Sequence, residues 1–171
     1  MMTSLVLTVI GPDKPGLVEL LSQTISSHQG NWLESGMSRL GGKFAGILIT
    51  EVPTDQSDSL LAALAELEAQ GLKVVAERCD GGDSEESMRA VSLELIGHDK
   101  PGIVREISQA LASRKVNVEK LTTELVSGSM SAELLFKAQA SLSMPESADV
   151  DDLQEALEAI ASDLMVDITL N

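Results

Sequence analysis

One short motif occurs twice in this chain. It reads Gly11-Pro12-Asp13-Lys14-Pro15-Gly16-Leu17-Val18 in the first half and Gly97-His98-Asp99-Lys100-Pro101-Gly102-Ile103-Val104 in the second. The offset is 86 residues, and identities outside the motif, such as Ser22 with Ser108, keep it without a gap. Each copy has about 80 residues, which is typical of a small domain. We therefore predict two similar domains at residues 1–79 and 89–171, joined by an acidic, glycine-containing linker at residues 80–88.

The composition is that of a water-soluble globular protein, with 43% apolar and 23% charged residues. Neither a membrane-spanning apolar run nor a signal peptide is recognisable, so we expect a cytoplasmic protein without a membrane partner. The single Cys79 rules out an internal disulfide and is expected to be a small buried residue. Two scattered histidines give no support for a metal site, and no cofactor is expected.

The net charge limits the kind of partner. Twelve basic and 27 acidic residues give a formal charge of −15. Because nucleic-acid binding depends strongly on Lys and Arg neutralising phosphates, direct DNA or RNA binding is not expected. The charge is explained either by solubility alone or by an acidic face that docks onto a basic partner protein.

The apolar pattern predicts the same order of elements in both copies. Short strands at 5–10 and 91–96 end at the motif glycines, and each motif opens a helix. We expect the motif aspartate to cap this helix and the second motif proline to occupy its first position. The apolar helix positions are Leu17, Val18, Leu21 and Ile25 in copy one and Ile103, Val104, Ile107 and Leu111 in copy two.

A hairpin, a second helix and a closing strand complete each copy. The predicted hairpin arms are 32–40 with 44–52 and 118–126 with 130–138, and the polar stretch 141–151 is expected to be a loop. Leucines at helical spacing mark the second helices, and strands at 72–76 and 165–170 follow. This β-α-β-β-α-β order predicts an α+β protein with two ferredoxin-like modules, each an antiparallel four-stranded sheet with two helices on one face.

A module of this size whose first loop reads Gly-x-Asp-Lys-Pro-Gly-[Leu/Ile]-Val resembles the ACT domain, a ligand-binding regulatory module of amino-acid metabolism. Both copies match, over nearly the whole chain. Two such modules with no enzyme attached resemble the glycine cleavage system transcriptional repressor group. That resemblance implies an amino-acid sensor, with glycine as the suggested ligand, that acts on a DNA-binding transcriptional regulator by protein contact. Exposed edge strands and the ACT resemblance also suggest a homodimer.

The repeated loop is the predicted ligand site. A glycine-rich turn before a helix presents unpaired amides and the positive end of the helix dipole, which suits a carboxylate. The alternative is that the same residues are present only to form a turn and a helix start. The predicted site residues are Gly11, Pro12, Asp13, Pro15, Gly16 and Leu17 in copy one and Gly97, His98, Asp99, Pro101, Gly102 and Ile103 in copy two.

Asn31 and Asn117 follow the first helix of each copy, and the ACT resemblance implies that they contact the ligand. The alternative is that asparagine is simply common at helix ends, where it tolerates left-handed backbone. Gly30 precedes Asn31, whereas Val116 precedes Asn117, so we expect unequal sites with the stronger one in copy one. His98 in place of Pro12 either donates to a ligand or is only solvated.

Enzymatic functions have little support. The sequence contains neither a Walker loop nor a dinucleotide-binding glycine motif nor a Gly-x-Ser-x-Gly elbow. A ferredoxin-like acylphosphatase would need an arginine in the first loop, and Arg105 lies in the following helix, where copy one has Glu19. We therefore predict that the protein is not an enzyme. An ACT-type interaction scaffold without a small ligand is the main alternative, and a small hydrolase ranks third.

Overall fold

The computed structural model describes residues 1–79, 87–128 and 133–171. The chain divides into two compact units, Met1–Asp83 and Ser84–Asn171, here called module 1 and module 2. Module 1 contains β1 (Met2–Pro12), α1 (Leu17–Ser27), β2 (Asn31–Leu40), β3 (Lys43–Pro53), α2 (Ser57–Glu66) and β4 (Lys73–Arg78). Module 2 contains β5 (Met88–His98), α3 (Ile103–Ala112), β6 (Asn117–Ser127), β7 (Leu134–Pro145), α4 (Val150–Leu164) and β8 (Val166–Leu170).

Each module contains one four-stranded sheet. The strand orders are β2-β3-β1-β4 and β6-β7-β5-β8, with every neighbouring pair antiparallel. The central strands therefore come from the first and third strands of each module. This arrangement confirms the predicted α+β class with two ferredoxin-like modules.

The core of each module lies between one face of the sheet and the two helices. Strand alternation buries Leu5, Leu7 and Val9 of β1, while α1 contributes Leu17, Leu21 and Ile25. The corresponding positions of β5 and α3 are buried in module 2. The two motif valines are not part of this core, because Val18 is 46% exposed and Val104 is 44% exposed. Each lies about 100° around the helix from the buried residue before it, Leu17 or Ile103, at the edge of the buried stripe.

The second hairpin differs from its prediction. Strand β7 runs from Leu134 to Pro145, so the predicted arm at 130–138 is displaced and the predicted loop at 141–151 is too long. Residues 130–132 of that arm lie outside the described residues. Ser141 and Ser143 suggested a loop, but they alternate with inward-facing residues and lie on the open face of the sheet. Serine in a strand exposed on one face was thus mistaken for loop composition.

The region between the modules is only partly described. Residues 80–86 of the predicted linker lie outside the described residues, and Met88, at its end, is already in β5. Cys79 follows β4, where its N–H donates to the Ser4 carbonyl at 2.9 Å. It is half-buried, so the expectation of a buried cysteine was wrong.

Candidate functional site

The first motif glycine in each module ends a central strand and packs closely on a neighbouring segment. A Cβ atom on Gly11 would lie 2.9 Å from the Gly71 carbonyl oxygen, and one on Gly97 would lie 2.8 Å from Cα of Val166. Gly71 lies between α2 and β4, the last strand of module 1. Val166 is the first residue of β8, the last strand of module 2. Close packing therefore explains both glycines without a ligand.

The helix start has a different geometry from the one predicted. Gly16 and Gly102 are the N-cap residues, both with a φ of 94° and without a side-chain cap hydrogen bond. This left-handed conformation favours glycine. The motif proline lies before the N-cap, so Pro15 and Pro101 do not occupy the first helical position. The first-turn amides of α1 and α3 consequently have no side-chain acceptor and remain available to an anion.

The motif aspartates do not cap the helices, so the expectation of an aspartate cap was also wrong. The backbone N–H of Asp13 donates to the Gly42 carbonyl at 3.1 Å, and that of Asp99 donates to Leu134 at 3.2 Å. The Asp13 carboxylate lies 3.4 Å from the Arg39 guanidinium on the surface. These contacts tie each loop to its adjacent hairpin.

His98 lies at the end of β5, where Pro12 ends β1. Its Nδ1 atom lies 3.0 Å from a carboxylate oxygen of Glu133, and both side chains are exposed. The histidine therefore contacts the hairpin of its own module.

A cleft of about 480 Å³ opens beside the uncapped end of α1. It brings together three predicted residues, Pro15, Gly16 and Leu17, with side chains that the sequence analysis did not select. The additional lining residues are Lys14, Glu19, Leu20, Gln23 and Gln70. The Lys14 cation and the Glu19 anion thus line one cleft. The side-chain amide of Gln23 donates a hydrogen bond of 3.4 Å to the Glu19 carboxylate.

The equivalent groups in module 2 are arranged differently. The Lys100 ammonium donates to the Leu164 carbonyl at 2.7 Å, across the C-terminal end of α4. Arg105 occupies the position of Glu19, so an anion is replaced by a cation. At the next position module 2 has Glu106, where Leu20 lines the module 1 cleft, so its charges are placed differently along the helix.

Asn31 lies far from the loop of its own module. It pairs through Glu51 of β3 with Ser4 of β1, seven residues from Gly11, or about 23 Å along an extended strand. Helix α1 itself has 11 residues and spans about 16 Å. Asn117 has the same position relative to β5, through Ser143 and Ala90. One small amino acid cannot contact both the loop and the asparagine of the same module.

The junction before each asparagine is shaped by packing. The left-handed residues are Gln29, with a φ of 61°, and Lys115, with a φ of 60°, so neither asparagine occupies that conformation. A Cβ atom on Gly30 would lie 2.7 Å from Cγ2 of Ile25. Close packing against Ile25 of α1 therefore explains the glycine at position 30 without a ligand.

The fold and the motif agree with a known family. The ACT domain matches residues 3–77 and 91–171, which together cover most of the chain. The chain belongs to the ACT domain family. Both modules are included in the match, so the duplication recognised in the sequence is a tandem pair of ACT domains.

Relatives with the same overall organisation are known. The chain is 25% identical over 175 residues to the glycine cleavage system transcriptional repressors of Escherichia coli (strain K12) and Shigella flexneri, covering 98% of this chain and 88% of each relative. An unknown protein from Galdieria sulphuraria has a similar structure, with a TM-score of 0.89, 26% identity, and coverage of 100% and 98%.

A candidate glycine cleavage system transcriptional repressor of known structure aligns with a TM-score of 0.70 at 21% identity, covering 100% of this chain and 97% of the other. This last similarity concerns the fold. Among the described residues, no helix has the length and apolar character needed to cross a membrane. Nor do the described parts of the chain contain a group of three or more His, Cys, Asp or Glu side chains placed to hold a metal ion.

Proposed function

We propose that this protein is a non-enzymatic regulator that binds a small amino acid at the module 1 cleft and acts on a DNA-binding transcriptional regulator by protein contact. The observation that carries the proposal is the combination, in one cleft, of an uncapped helix N-terminus with Lys14 and Glu19. The similarity to glycine cleavage system repressors over nearly the whole chain supports the regulatory part.

The cleft offers complementary groups for both ends of a free amino acid. The first-turn amides of α1 and the Lys14 ammonium suit the α-carboxylate, because both supply positive electrostatic potential. The Glu19 carboxylate suits the α-ammonium, and the Gln23 amide that contacts Glu19 restricts its orientation. Glycine is the first candidate because the relatives are repressors of the glycine cleavage system.

We also propose that module 1 carries the stronger site. The reason differs from the one that the sequence suggested, because Gly30 is explained by packing against Ile25. In module 2, Lys100 is already bonded to Leu164, and Arg105 would repel the ligand's ammonium group. The proposed site in module 1 does not include Asn31, since that residue lies far from the loop of its own module.

Regulation requires the ligand to favour one arrangement of the protein. Binding at the module 1 cleft would stabilise the arrangement that the ligand contacts best, and the surface presented to the regulator would change with it. The net charge of −15 suits contact with a basic protein and disfavours direct binding to DNA. A cytoplasmic location follows from this role, because the protein must reach a transcriptional regulator.

Calorimetric titration of the full chain with glycine, serine and alanine tests the ligand. We expect saturable binding of at least one of them, and at least tenfold weaker binding by Glu19→Arg, which gives module 1 the cation of module 2. Arg105→Glu is the matched control, since it makes the opposite change in module 2 and should leave the principal affinity intact. Absence of heat with all three amino acids contradicts the sensor and favours an interaction scaffold.

A reconstituted DNA-binding assay tests the action on a regulator. The protein is added to the purified activator of glycine cleavage genes on its DNA, with and without the amino acid that binds. We expect no mobility shift of DNA by this protein alone and a ligand-dependent change when the activator is present. A direct DNA shift, or no effect on the activator complex, contradicts the proposed mechanism.

A further inference from the structure

The module 1 sheet has an apolar face turned away from its helices. We define this open face by seven residues, of which Ile10 is 43% exposed, Ile47 58% and Val75 49%. Strand register places them side by side, with Thr8 between Ile47 and Val75. The open face consists of Val6, Thr8, Ile10, Ala45, Ile47, Ile49 and Val75. Contiguous exposed apolar surface of this kind usually marks an interface.

The fold itself does not require this face to be apolar, as module 2 shows. Its sheet has the same strand order, and each position of the open face has an equivalent defined by strand register. The equivalents of Val6, Ile47 and Val75 are Ser92, Gln139 and Thr169, all polar. A sheet face exposed to water on one side normally carries polar residues, as in module 2.

Charges flank the module 1 open face in an ordered way. Lys73 pairs with Ile10 on one side of the Thr8–Ile47 row, and Glu77 pairs with Val6 on the other side. Further along the strands, Lys43 lies at the first end and Glu51 at the second. All four side chains lie on the open face by strand alternation. The face is therefore apolar in the middle, basic at one end and acidic at the other.

We propose that this face packs against the same face of a second copy of the chain. A two-fold axis along the Thr8–Ile47 row, perpendicular to the strands, places the basic end of each copy over the acidic end of the other. Lys73 then lies opposite Glu77 of the second copy, and Ile10 lies opposite its Val6. Small Ala45 lies opposite large Ile49, which suits interdigitation between stacked sheets.

The size of the face indicates a moderate affinity. Three strands at their usual spacing and about six residues of length give roughly 300 Å² per copy, or about 600 Å² in total. Interfaces of this size are usually weak or transient, so a monomer–dimer equilibrium is expected. The apolar centre supplies the attraction, and the rim charges select the orientation of the two copies. This inference does not depend on the proposed amino-acid site.

Sedimentation velocity of the full chain from about 1 to about 300 µM tests the interface. We expect dimerisation within this range and at least a tenfold increase in the dissociation constant for Ile47→Glu, because the axis brings the two glutamates together in an apolar contact. Gln139→Glu is the matched control at the equivalent position of module 2 and should dimerise normally. A wild-type chain that stays monomeric, or a dimer that Ile47→Glu does not weaken, overturns the proposal.

Charge reversal tests the orientation with variants that change only exposed side chains. Lys73→Glu should weaken the dimer by placing like charges opposite one another. Adding Glu77→Lys to that variant should restore the affinity, because the opposite charges then meet again with exchanged positions. Far-UV circular dichroism confirms that each variant is folded. A double variant that is weaker than the single variant overturns the proposed two-fold arrangement.

Discussion

The two modules share one fold but fill their cores differently. Leu48 of β3 is fully buried opposite Leu7, whereas Ala140 of β7 occupies the corresponding place opposite Leu93. Trp32 packs against the module 1 core from the edge strand, and module 2 has Val118 at that position. The larger residues at both positions are thus in module 1.

Module 2 contains an apolar cavity where these smaller residues are found. Its volume is about 50 Å³, and its lining includes Ala140, Val118 and Val104. Leu121 and Leu125 of β6 lie on the helix side of the sheet, yet they are 50% and 52% exposed. Helix α3 therefore covers the edge strand of module 2 incompletely. The comparison teaches that strand order and apolar pattern determine the fold, whereas a few volume changes determine how well it is packed.

The largest effect is expected from Leu48→Ala, which gives module 1 the small residue of module 2. Deleting this fully buried side chain should lower the free energy of unfolding by about 3 kcal/mol, through lost burial and the cavity left behind. Trp32 is the only tryptophan, so its fluorescence during urea denaturation follows module 1 specifically. A loss below about 1 kcal/mol would show that the module 1 core relaxes as freely as a poorly packed one.

An intermediate effect is expected from Lys100→Met, which keeps the aliphatic stem and removes the ammonium group. The charged hydrogen bond to Leu164 is part-buried and lies at a helix C-terminus, so its loss should cost about 1–2 kcal/mol. Urea denaturation followed by circular dichroism measures this change in the whole chain, and Trp32 fluorescence, which follows module 1, should stay unchanged.

Lys14→Met is the matched variant in module 1. The Lys14 ammonium lies 3.8 Å from the position where a Cβ on Gly71 would be, at the end of the short 3-10 helix Leu67–Gln70. Because Lys14 also lines the cleft, its substitution should weaken amino-acid binding more than it lowers stability. Equal stability losses for both lysines would show that the two modules use them in the same way.

The smallest effect, of opposite sign, is expected from Ala140→Val. Two added methyl groups fit a cavity of about 50 Å³ and should raise the stability of module 2 by about 1 kcal/mol. The part of the circular dichroism transition that Trp32 fluorescence does not follow should move to higher urea, while the Trp32 transition stays unchanged. Destabilisation would indicate overpacking and would mean that the cavity cannot accept even this small increase in volume.

Much of the fold could be predicted because local patterns and global structure agree. Alternating apolar residues located β1 and β5, and leucines at helical spacing located α2 and α4. The position of β7 could not be predicted correctly, because Ser141 and Ser143 resemble loop residues until the neighbouring strands show that one face is open. The predicted aspartate cap does not form, because Gly16, in the αL conformation, is the N-cap residue of α1.

The candidate site was only half predictable. Pro15, Gly16 and Leu17 do line a cleft, but Glu19 and Gln23 were missed because they resemble ordinary exposed helix residues. The spacing of four residues between Glu19 and Gln23 could have indicated that the two side chains lie next to each other on the helix. Asn31 was grouped with the loop by family resemblance, and a distance of about 23 Å along the strands separates the two within a module.

The sequence by itself determined the duplication, the order of strands and helices, and the side of each element that is buried. Those properties depend on residues close together in the chain and on the regular periods of helices and strands. The tertiary structure alone decided that Lys100 contacts Leu164, that the asparagines lie away from the loops, and that Ala140 borders a cavity. Each depends on residues distant in sequence that become neighbours only when the helices pack on the sheet, and no local pattern records that contact.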